Sequence, residues 1–401
     1  MKNFKIAFVS SLMTILILAT IFSYFYFNNK ILLANNNIES VSEKLDEPND
    51  SEQVDLKQID DNTNTLYQER NNIITRTVKK VSAAVVGINV TEIRKYRSPW
   101  GQDPFFRYFF GDRVFQREVK SLGSGAIISP DGYIITNDHV AGNASKVIVT
   151  MTDGNHYNAK IIGSDQISDI CLLKIDTDKD LPYIELGDSD DLMIGEWVIA
   201  LGNPFGLFEI NDKPTVTVGV ISNTNMNLGR SRDRFYLDMI QTDASINSGN
   251  SGGPLVNSIG QIIGMNTLIY SETGGSVGVG FAIPVNKIKK IIAEIKENGY
   301  VDRNFWTGLS VQTIDEGIAR YYGLQNVQGV IITHVQSNSP GEKAGIEVGD
   351  IITHVNNFRI EDDNMLIGVL QEFRTGDKLK LRVIRNNEEI IKYMRLEARN
   401  D

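Results

Sequence analysis

A short stretch in the second half of the sequence has the residue types that acyl transfer by a serine requires. It reads GNSGGPL over residues 249–255, and average residue usage gives a Gly-x-Ser-Gly-Gly-Pro match on the order of once per 10⁶ positions. A nucleophilic serine presents its Oγ on a tight turn, while backbone amides converge on the oxygen that becomes negatively charged. We therefore predict a nucleophile at Ser251, with the amides of Gly249 and Ser251 as its oxyanion hole.

Two further stretches offer the base, and the group orienting that base, that a neutral serine needs. TNDHV, over residues 136–140, carries His139 at the end of a predicted strand, and SDICLLK, over residues 168–174, carries Asp169 at the start of another. The order histidine, aspartate, serine along the chain is the order of the chymotrypsin triad. An alternative role for Asp169 is to cap the start of its strand.

The three stretches together resemble those of the HtrA/Deg family of serine proteases, whose motifs read close to TNxHV, SDxAxLK and GNSGGPL. The stretch GVGFAIP over residues 278–284 is similar to the segment that closes the family's protease domain, and the resemblance covers about residues 72–397. It implies that Ser251 is the nucleophile, His139 the general base and then the acid, and Asp169 the group that orients His139.

The motifs of this chain depart from those of the family at two positions. Cys171 stands where the family usually has alanine, and Asp138 adds a carboxylate beside His139. The direction of the Asp138 side chain does not follow from the sequence. Neither change removes a catalytic group, so the prediction of a serine protease stands.

The sequence argues against disulfides, metal chemistry and a cofactor. Cys171 is the only cysteine, so it can form no intrachain disulfide and no cysteine-based metal site. Because it lies in an apolar run, we interpret it as a small buried hydrophobe. The four histidines are scattered singly rather than spaced as zinc ligands. We interpret three of them as surface or core residues: His156, His334 and His354.

The charge of the chain argues against nucleic acid as its main partner. Lys and Arg number 40 and Asp and Glu number 50, which gives a net charge of −10, whereas phosphate binding requires a basic face. The acidity is concentrated between Glu39 and Glu69, where ten acids and two lysines give a net charge of −8. The excess of acid therefore belongs to one segment of the chain.

An apolar stretch near the N-terminus predicts a membrane anchor. Ile6–Phe27 holds 22 residues without a charge, and at about 1.5 Å per residue it can cross a hydrocarbon core of about 30 Å. Lys2 and Lys5 precede it, so the positive-inside rule places the N-terminus in the cytoplasm and the body outside. The alternative is a cleaved signal peptide, whose apolar region is shorter. We expect a single-pass anchor of a bacterial inner membrane in residues 1–30 and an acidic flexible tether in residues 31–71.

The remainder of the chain is predicted to be mainly β, with a protease domain over residues 72–298. Short β-rich runs separated by Gly, Asn and Asp indicate a barrel or sandwich, and the family resemblance implies a chymotrypsin-like double β-barrel. A helix follows between Pro284 and Gly299, because proline commonly opens a helix and glycine closes one. The predicted strands are Ala84–Val90, Gly125–Ile128, Tyr133–Thr136, Lys146–Met151, Ile170–Ile175, Trp197–Leu201, Thr215–Ile221 and Gln261–Asn266.

Residues 299–401 resemble a single PDZ domain. SPGEKAGIEVGDII, over residues 339–352, is similar to the core signature of such domains. PDZ domains bind a peptide C-terminus as an added strand, and backbone amides hold its carboxylate. The matching carboxylate loop consists of Trp306, Thr307, Gly308 and Leu309. Trp306 and Thr307 stand where the family often has tyrosine and leucine.

A long insertion over residues 92–120 carries an aromatic cluster. The resemblance implies that this insertion reaches neighbouring subunits or active-site loops, and that the protease domains assemble as a homotrimer. The alternative is a loop folded over its own core. The aromatic residues are Phe105, Phe106, Tyr108, Phe109 and Phe110, and the basic residues before them are Arg94, Lys95 and Arg97.

Two further segments are expected to regulate the site or select its substrate. The segment Asn223–Tyr236 contains Arg230, Arg232 and Arg234, and the family's matching loop senses a bound peptide; the alternative is a solvated loop. Leu268 and Ile269 resemble the lining of the family's primary specificity pocket. An apolar lining there favours a small aliphatic residue before the scissile bond.

The anchor, one protease domain and one PDZ domain together resemble the DegS-like branch of the family. The resemblance implies an ATP-independent serine endopeptidase that binds the C-termini of unfolded proteins at its PDZ domain and cleaves a membrane anti-sigma factor. Two alternatives stay open: a general degradative protease and chaperone, and a PDZ binding protein with a latent protease site. The expected partners are unfolded or membrane-protein substrates, peptide C-termini and further copies of the chain.

Overall fold

The structure, a computed structural model, describes residues 70–97, 114–203, 208, 212–247, 249–269, 276–323 and 328–399. Contacts divide the chain into two units, Met1–Glu69 and Arg70–Asp401. The predicted anchor, the tether and the aromatic cluster of residues 105–110 lie outside the described residues. Among the residues described, no helix is long and apolar enough to cross a membrane.

The first part of the second unit is a closed antiparallel barrel of six strands. A helix, α1 (Ile73–Val81), leads into it, and a short helix, α2 (Asp138–Ala141), follows its third strand. The order around the barrel is β1-β2-β3-β6-β5-β4. The strands are β1 (Val85–Arg97), β2 (Val114–Ile127), β3 (Tyr133–Thr136), β4 (Lys146–Thr150), β5 (His156–Asp165) and β6 (Ile170–Ile175).

A second closed barrel of six strands follows, in the order β11-β14-β13-β12-β7-β8. Between β8 and β11 the chain forms a separate hairpin, β9 (Gly229–Ser231) and β10 (Arg234–Tyr236). The barrel strands are β7 (Trp197–Gly202), β8 (Thr215–Met226), β11 (Met239–Thr242), β12 (Pro254–Asn257), β13 (Ile262–Ile269) and β14 (Gly280–Pro284). Two such barrels confirm the predicted chymotrypsin-like fold.

The helix predicted after the second barrel is present as α3 (Val285–Asn298). Pro284 precedes its first residue, and Gly299 ends it in a left-handed conformation at φ 82°, where its amide donates to the carbonyl of Ile295 at 2.8 Å. A residue without a Cβ adopts that conformation at little cost. The apolar face of α3 is buried against β5 and β6 of the first barrel and β13 of the second, through Val285, Ile288, Ile291, Ile292 and Ile295.

The last part of the chain has the predicted PDZ architecture. Its main sheet runs β16-β17-β18-β20-β21, with β19 paired to β18, and a small sheet pairs β15 with β22. The strands are β15 (Phe305–Trp306), β16 (Leu309–Thr313), β17 (Val330–Val335), β18 (Ile351–Val355), β19 (Phe358–Arg359), β20 (Lys378–Arg385), β21 (Glu388–Arg395) and β22 (Glu397–Ala398). The helices are α4 (Glu316–Tyr321), α5 (Pro340–Lys343) and α6 (Asp363–Leu370).

The barrels and the PDZ domain share apolar and ionic contacts. Phe235 of the β9–β10 hairpin belongs to the hydrophobic core of the PDZ domain, and its ring leaves no room for a Cβ on Gly368 of α6. Arg303 donates to both carboxylate oxygens of Asp165, at 2.6 and 2.7 Å, and to the carbonyl of Gln371 at 2.9 Å. The hairpin and the inter-domain segment therefore couple the two domains.

Candidate active site

The structure brings His139 and Asp169 into direct contact between β3 and β6. Asn137 is the N-cap of α2, so His139 lies in the first turn of that helix. Asp169 lies just before β6 with a left-handed backbone, φ 59°. The Nδ1 atom of His139 is 2.8 Å from Oδ2 and 3.0 Å from Oδ1 of Asp169, and the backbone amide of His139 donates to Oδ1 at 3.0 Å. The carboxylate thus holds both the ring and the backbone of His139.

Asp169 is completely buried and accepts hydrogen bonds from three further side chains. Thr267 donates to Oδ2 at 2.8 Å and Tyr236 to Oδ2 at 3.3 Å, while Arg234 donates through Nε to Oδ1 at 3.0 Å. Burial by itself would raise the pKa of Asp169. The hydrogen bonds and charge of His139 outweigh it and hold the pKa below its usual range, so the group is an anion at neutral pH.

Ser251 lies on the tight turn that its motif predicts. Gly249 and Gly252 flank it with left-handed φ values of 96° and 84°, and a Cβ on Gly252 would approach the carbonyl oxygen of Ser124 to 2.3 Å. The Oγ of Ser251 donates to the carbonyl of Thr267 at 3.2 Å. Within the described residues, no hydrogen bond joins Ser251 to His139. Thr267 therefore contacts both the candidate nucleophile and the candidate orienting group.

The two amides predicted as the oxyanion hole, those of Gly249 and Ser251, donate to no other described residue. The carbonyl of Gly249 accepts from the Ser124 hydroxyl at 2.5 Å, and the carbonyl of Ser251 accepts from the Ser124 amide at 2.9 Å. Backbone carbonyls on either side of the turn are thus held by β2, while the two N–H groups are available for a ligand oxygen.

Asp138, whose direction the sequence left open, forms a buried ion pair with Arg234. Its Oδ2 accepts from Nη2 of Arg234 at 2.7 Å, and its Oδ1 accepts from the Ser164 hydroxyl at 2.7 Å. Asp138 and Arg234, together with His139 and Arg232, border a cavity of about 370 Å³.

The predicted specificity residues follow Thr267 along β13. In the strand backbone Leu268 pairs with Phe281 and Ile269 with Gly280. Their side chains lie outside the described part of the structure. The preference for a small aliphatic residue before the scissile bond therefore stays a prediction.

Comparison with known proteins identifies the family. Residues 123–265 match the trypsin-like peptidase domain, and residues 307–391 match the PDZ domain. The chain is 38% identical over 330 residues to a probable periplasmic serine endoprotease, DegP-like, of Hahella chejuensis, covering 79% of this chain and 68% of that protein. The chain belongs to the HtrA family of serine proteases. The enzyme is thus a serine endopeptidase with a single matched PDZ domain.

Solved HtrA structures have the same fold over most of the described chain. The HtrA-type protease AlgW with a decapeptide is 36% identical, with a TM-score of 0.60, and the match covers 81% of this chain and 98% of that one. The serine endoprotease from Yersinia pestis is 32% identical, with a TM-score of 0.51, covering 81% of this chain and 98% of that one.

In this HtrA protein the three arginines of the β9–β10 hairpin have different surroundings. Arg230 donates through Nε to the carbonyl of Arg232 at 2.7 Å, so its contacts stay within the hairpin. Arg232 occupies the turn with a left-handed φ of 57°. Arg234 points inward and binds Asp138 and Asp169. Residues two apart point to the same face only in a regular strand, and the turn at Arg232 breaks that regularity here.

The four residues predicted to bind a peptide carboxylate border a cavity of about 600 Å³ in the PDZ domain. Gly308 has a φ of 68°, and a Cβ there would lie 2.0 Å from Cβ of Ser339. Strand β16, which begins at Leu309, is the edge strand of its sheet, so its free side can accept an added strand. The cavity is bordered by Phe305, Trp306, Thr307, Gly308, Leu309, Gln336, Ile367, Leu370, Gln371 and Arg399.

The remaining candidates lie away from the site or take no part in it. Cys171 is completely buried in β6, and burial raises the pKa of its thiol to about 12, which agrees with its interpretation as a small core residue. His156 contacts the Thr150 hydroxyl at 3.0 Å. Among the residues that the structure describes, no group of three His, Cys, Asp or Glu side chains could hold a metal ion.

Sequence reasoning missed two of the residues that hold Asp169. Thr267 and Tyr236 are 98 and 67 positions away along the chain. Neither belongs to a motif with a chemical signature, so no local signal could have found them. Arg234 was predicted as a regulatory residue, yet it touches the carboxylate directly.

Proposed function

We propose that His139, Asp169 and Ser251 are the catalytic triad of this endopeptidase. The observation that carries the proposal is the buried, multiply hydrogen-bonded carboxylate of Asp169 with His139 Nδ1 at 2.8 Å, together with a serine turn whose Gly249 and Ser251 amides donate to no other described residue. Because Nδ1 is bound to Asp169, Nε2 is the nitrogen left to accept the proton of Ser251.

The proposed reaction is acyl transfer through Ser251. Oγ attacks the scissile carbonyl carbon while its proton passes to Nε2 of His139, and the amides of Gly249 and Ser251 stabilise the oxyanion. The C–N bond then breaks, and His139 returns the proton to the leaving amine. Water hydrolyses the acyl-enzyme by the same route, so neither ATP nor a cofactor is required.

We propose further that the enzyme is regulated by a peptide C-terminus at its PDZ domain. The Oγ of Ser251 donates its hydrogen bond to the carbonyl of Thr267 and not to His139. This supports a resting arrangement in which the Ser251 side chain must rotate before it reacts. The edge strand β16 and the cavity around Gly308 support peptide binding, as do the peptides named with the AlgW structures. Within the proposal, unfolded-protein C-termini are the signal.

The cellular role proposed here is stress sensing at the bacterial inner membrane, with cleavage of a membrane anti-sigma factor. It rests on the predicted anchor of residues 6–27, on the single matched PDZ domain and on relatives described as periplasmic. The homotrimer is proposed from the family resemblance. General degradation of unfolded envelope proteins is the second candidate, because the curated relatives are described as DegP-like endoproteases.

The decisive experiment is cleavage of casein and of a membrane-protein fragment by the full-length chain, with and without C-terminal peptides. Ser251→Ala should abolish cleavage, by at least about a thousandfold as expected for loss of a triad nucleophile. Ser145→Ala is the matched control, because that exposed serine only donates to the carbonyl of Thr91. Retained cleavage by Ser251→Ala would contradict the triad. Stimulation by peptide supports the sensor, and peptide-independent cleavage supports general degradation.

A further inference from the structure

A buried ion pair, formed by Arg234 and Asp138, contacts Asp169 of the candidate triad. Arg234 donates through Nε to Oδ1 of Asp169 at 3.0 Å and through Nη2 to Oδ2 of Asp138 at 2.7 Å. The side chains of Arg234, Asp138 and Asp169 are 13%, 5% and 0% exposed. A single guanidinium thus lies between two carboxylates that water barely reaches.

The guanidinium of Arg234 donates from one nitrogen to Asp169 and from another to Asp138. The planar guanidinium presents donors in a fixed fork, so one side chain can engage two carboxylates at defined angles. Oδ1 of Asp169 accepts from Arg234 and from the His139 amide, which leaves Oδ2 as the closer partner of His139 Nδ1, at 2.8 Å. Ser164 satisfies the remaining oxygen of Asp138 at 2.7 Å.

The balance of charge beside Asp169 depends on both Arg234 and Asp138. Burial would lower the pKa of Arg234, but the charges of Asp169 and Asp138 raise it above its ordinary value. Without Arg234, two buried carboxylates would stand close together without a cation. Without Asp138, the whole positive charge would act on Asp169 alone and weaken its support for a protonated His139.

We propose that Arg234 and Asp138 form a pair of positioning residues for this protease: Arg234 fixes the Asp169 carboxylate that orients His139, and Asp138 fixes Arg234 and balances its charge. This inference rests on the proposed triad. The competing explanation is that the pair only fastens the β9–β10 hairpin to the first barrel, without any effect on His139.

A double-mutant cycle on the full-length chain separates the two explanations. The variants are Arg234→Gln, Asp138→Asn and the double variant, with kcat, KM and the rate of Ser251 modification by a fluorophosphonate as readouts. The matched controls are Lys160→Gln and Asp176→Asn, an exposed ion pair of the same barrel that joins β5 to the residue after β6.

Arg234→Gln is expected to lower kcat and the fluorophosphonate rate by about tenfold or more while KM changes less than about twofold, since Arg234 acts through Asp169. The double variant is expected to regain at least about fivefold over Arg234→Gln, because it removes both the unpaired carboxylate and the cation. A pair that merely fastened the hairpin would leave kcat and the fluorophosphonate rate of the folded Arg234→Gln variant at the level of the controls.

The proposal is overturned if Arg234→Gln matches the controls in kcat, or if the double variant is no more active than Arg234→Gln. Should Arg234→Gln fail to fold, Asp138→Asn decides: a kcat below that of Asp176→Asn supports the pair, and an equal kcat refutes it. Activity that survives Ser251→Ala in the same assay identifies a failure of the proposed triad instead.

Discussion

Asp165 and Asp169 are four residues apart, both are buried, and different cations hold them. Asp169 is held by His139 and Arg234, whereas Asp165 receives two hydrogen bonds from Arg303, at 2.6 and 2.7 Å, and one from the Ser168 amide at 3.1 Å. Burial by itself would raise the pKa of Asp165, but the hydrogen bonds and charge of Arg303 lower it below its ordinary value. One carboxylate serves the candidate site and the other ties the PDZ domain to the barrels.

Asp165→Asn is expected to make stability less dependent on acid pH. Since the folded pKa of Asp165 is lowered, its contribution is fully present above the unfolded value of about 3.9 and is lost as pH falls through the folded pKa. At pH 7 the variant should be less stable by about 3 kcal/mol, because it leaves Arg303 without its buried partner. Urea midpoints between pH 7 and pH 2.5 measure both effects.

The control for this prediction is Asp176→Asn, which removes an exposed carboxylate paired with Lys160. Its urea midpoint should follow the wild-type curve at every pH, because exposed pairs contribute little. Parallel pH curves for wild type and Asp165→Asn would show that the Asp165–Arg303 pair does not contribute as described.

Among the elements, the loop before β16 leaves no room for a side chain at Gly308. It turns at Gly308 with a φ of 68°, directly against Ser339, and then enters an edge strand at Leu309. The carbonyl of Thr307 accepts from the Gly341 amide at 2.9 Å, and the carbonyl of Gly308 accepts from the Gln336 amide at 2.8 Å. These two carbonyls thus accept hydrogen bonds from within the PDZ domain, and the bonds fix the loop beside the proposed peptide cavity.

Gly308→Ala is expected to weaken binding of C-terminal peptides by at least about tenfold, because both the left-handed backbone and the contact with Ser339 oppose a Cβ. Gly323→Ala is the matched control, since Gly323 has a similar φ of 64° but no atom of the described residues within 4 Å of its Cβ position. Fluorescence anisotropy with labelled peptides measures the affinities. Equal affinities for the two variants would contradict the carboxylate-loop assignment.

At the scale of the whole molecule, the hydrophobic core of the PDZ domain includes residues from the protease part. Phe235 comes from the hairpin of the protease part, is 8% exposed and packs with core residues of the PDZ domain. Arg374 adds an ion pair with Glu294 of α3 at 2.8 Å. The hairpin that carries Arg234 therefore also packs on α6, the helix that borders the proposed peptide cavity.

Phe235→Ala is expected to lower the free energy of unfolding by about 3 kcal/mol, because a buried phenyl ring between the two parts would leave a cavity. Circular dichroism during urea unfolding measures the loss as a lower midpoint. Tyr183→Ala, which removes an aromatic ring that is 49% exposed, is expected to leave the midpoint unchanged. Coincident midpoints for the two variants would argue against a shared core.

The sequence by itself determined the features that depend on a few neighbouring residues. The short β-rich runs Tyr133–Thr136 and Ile170–Ile175 predicted strands with those same bounds, and Pro284 with Gly299 predicted α3. The three motifs identified His139, Asp169 and Ser251 as candidates, because nucleophile turns and strand ends have local requirements.

Only the tertiary structure decided which distant groups meet at Asp169. Arg234, Tyr236 and Thr267 lie 65, 67 and 98 residues from it along the chain, and their approach depends on the closure of two barrels and on the hairpin between β8 and β11. The pairing of Asp138 with Arg234 could not be predicted from the sequence either, because packing between distant elements decides which side chains meet. Local sequence patterns therefore predicted the candidate catalytic residues one by one, whereas the folded chain decides which charged side chains pair in the buried site.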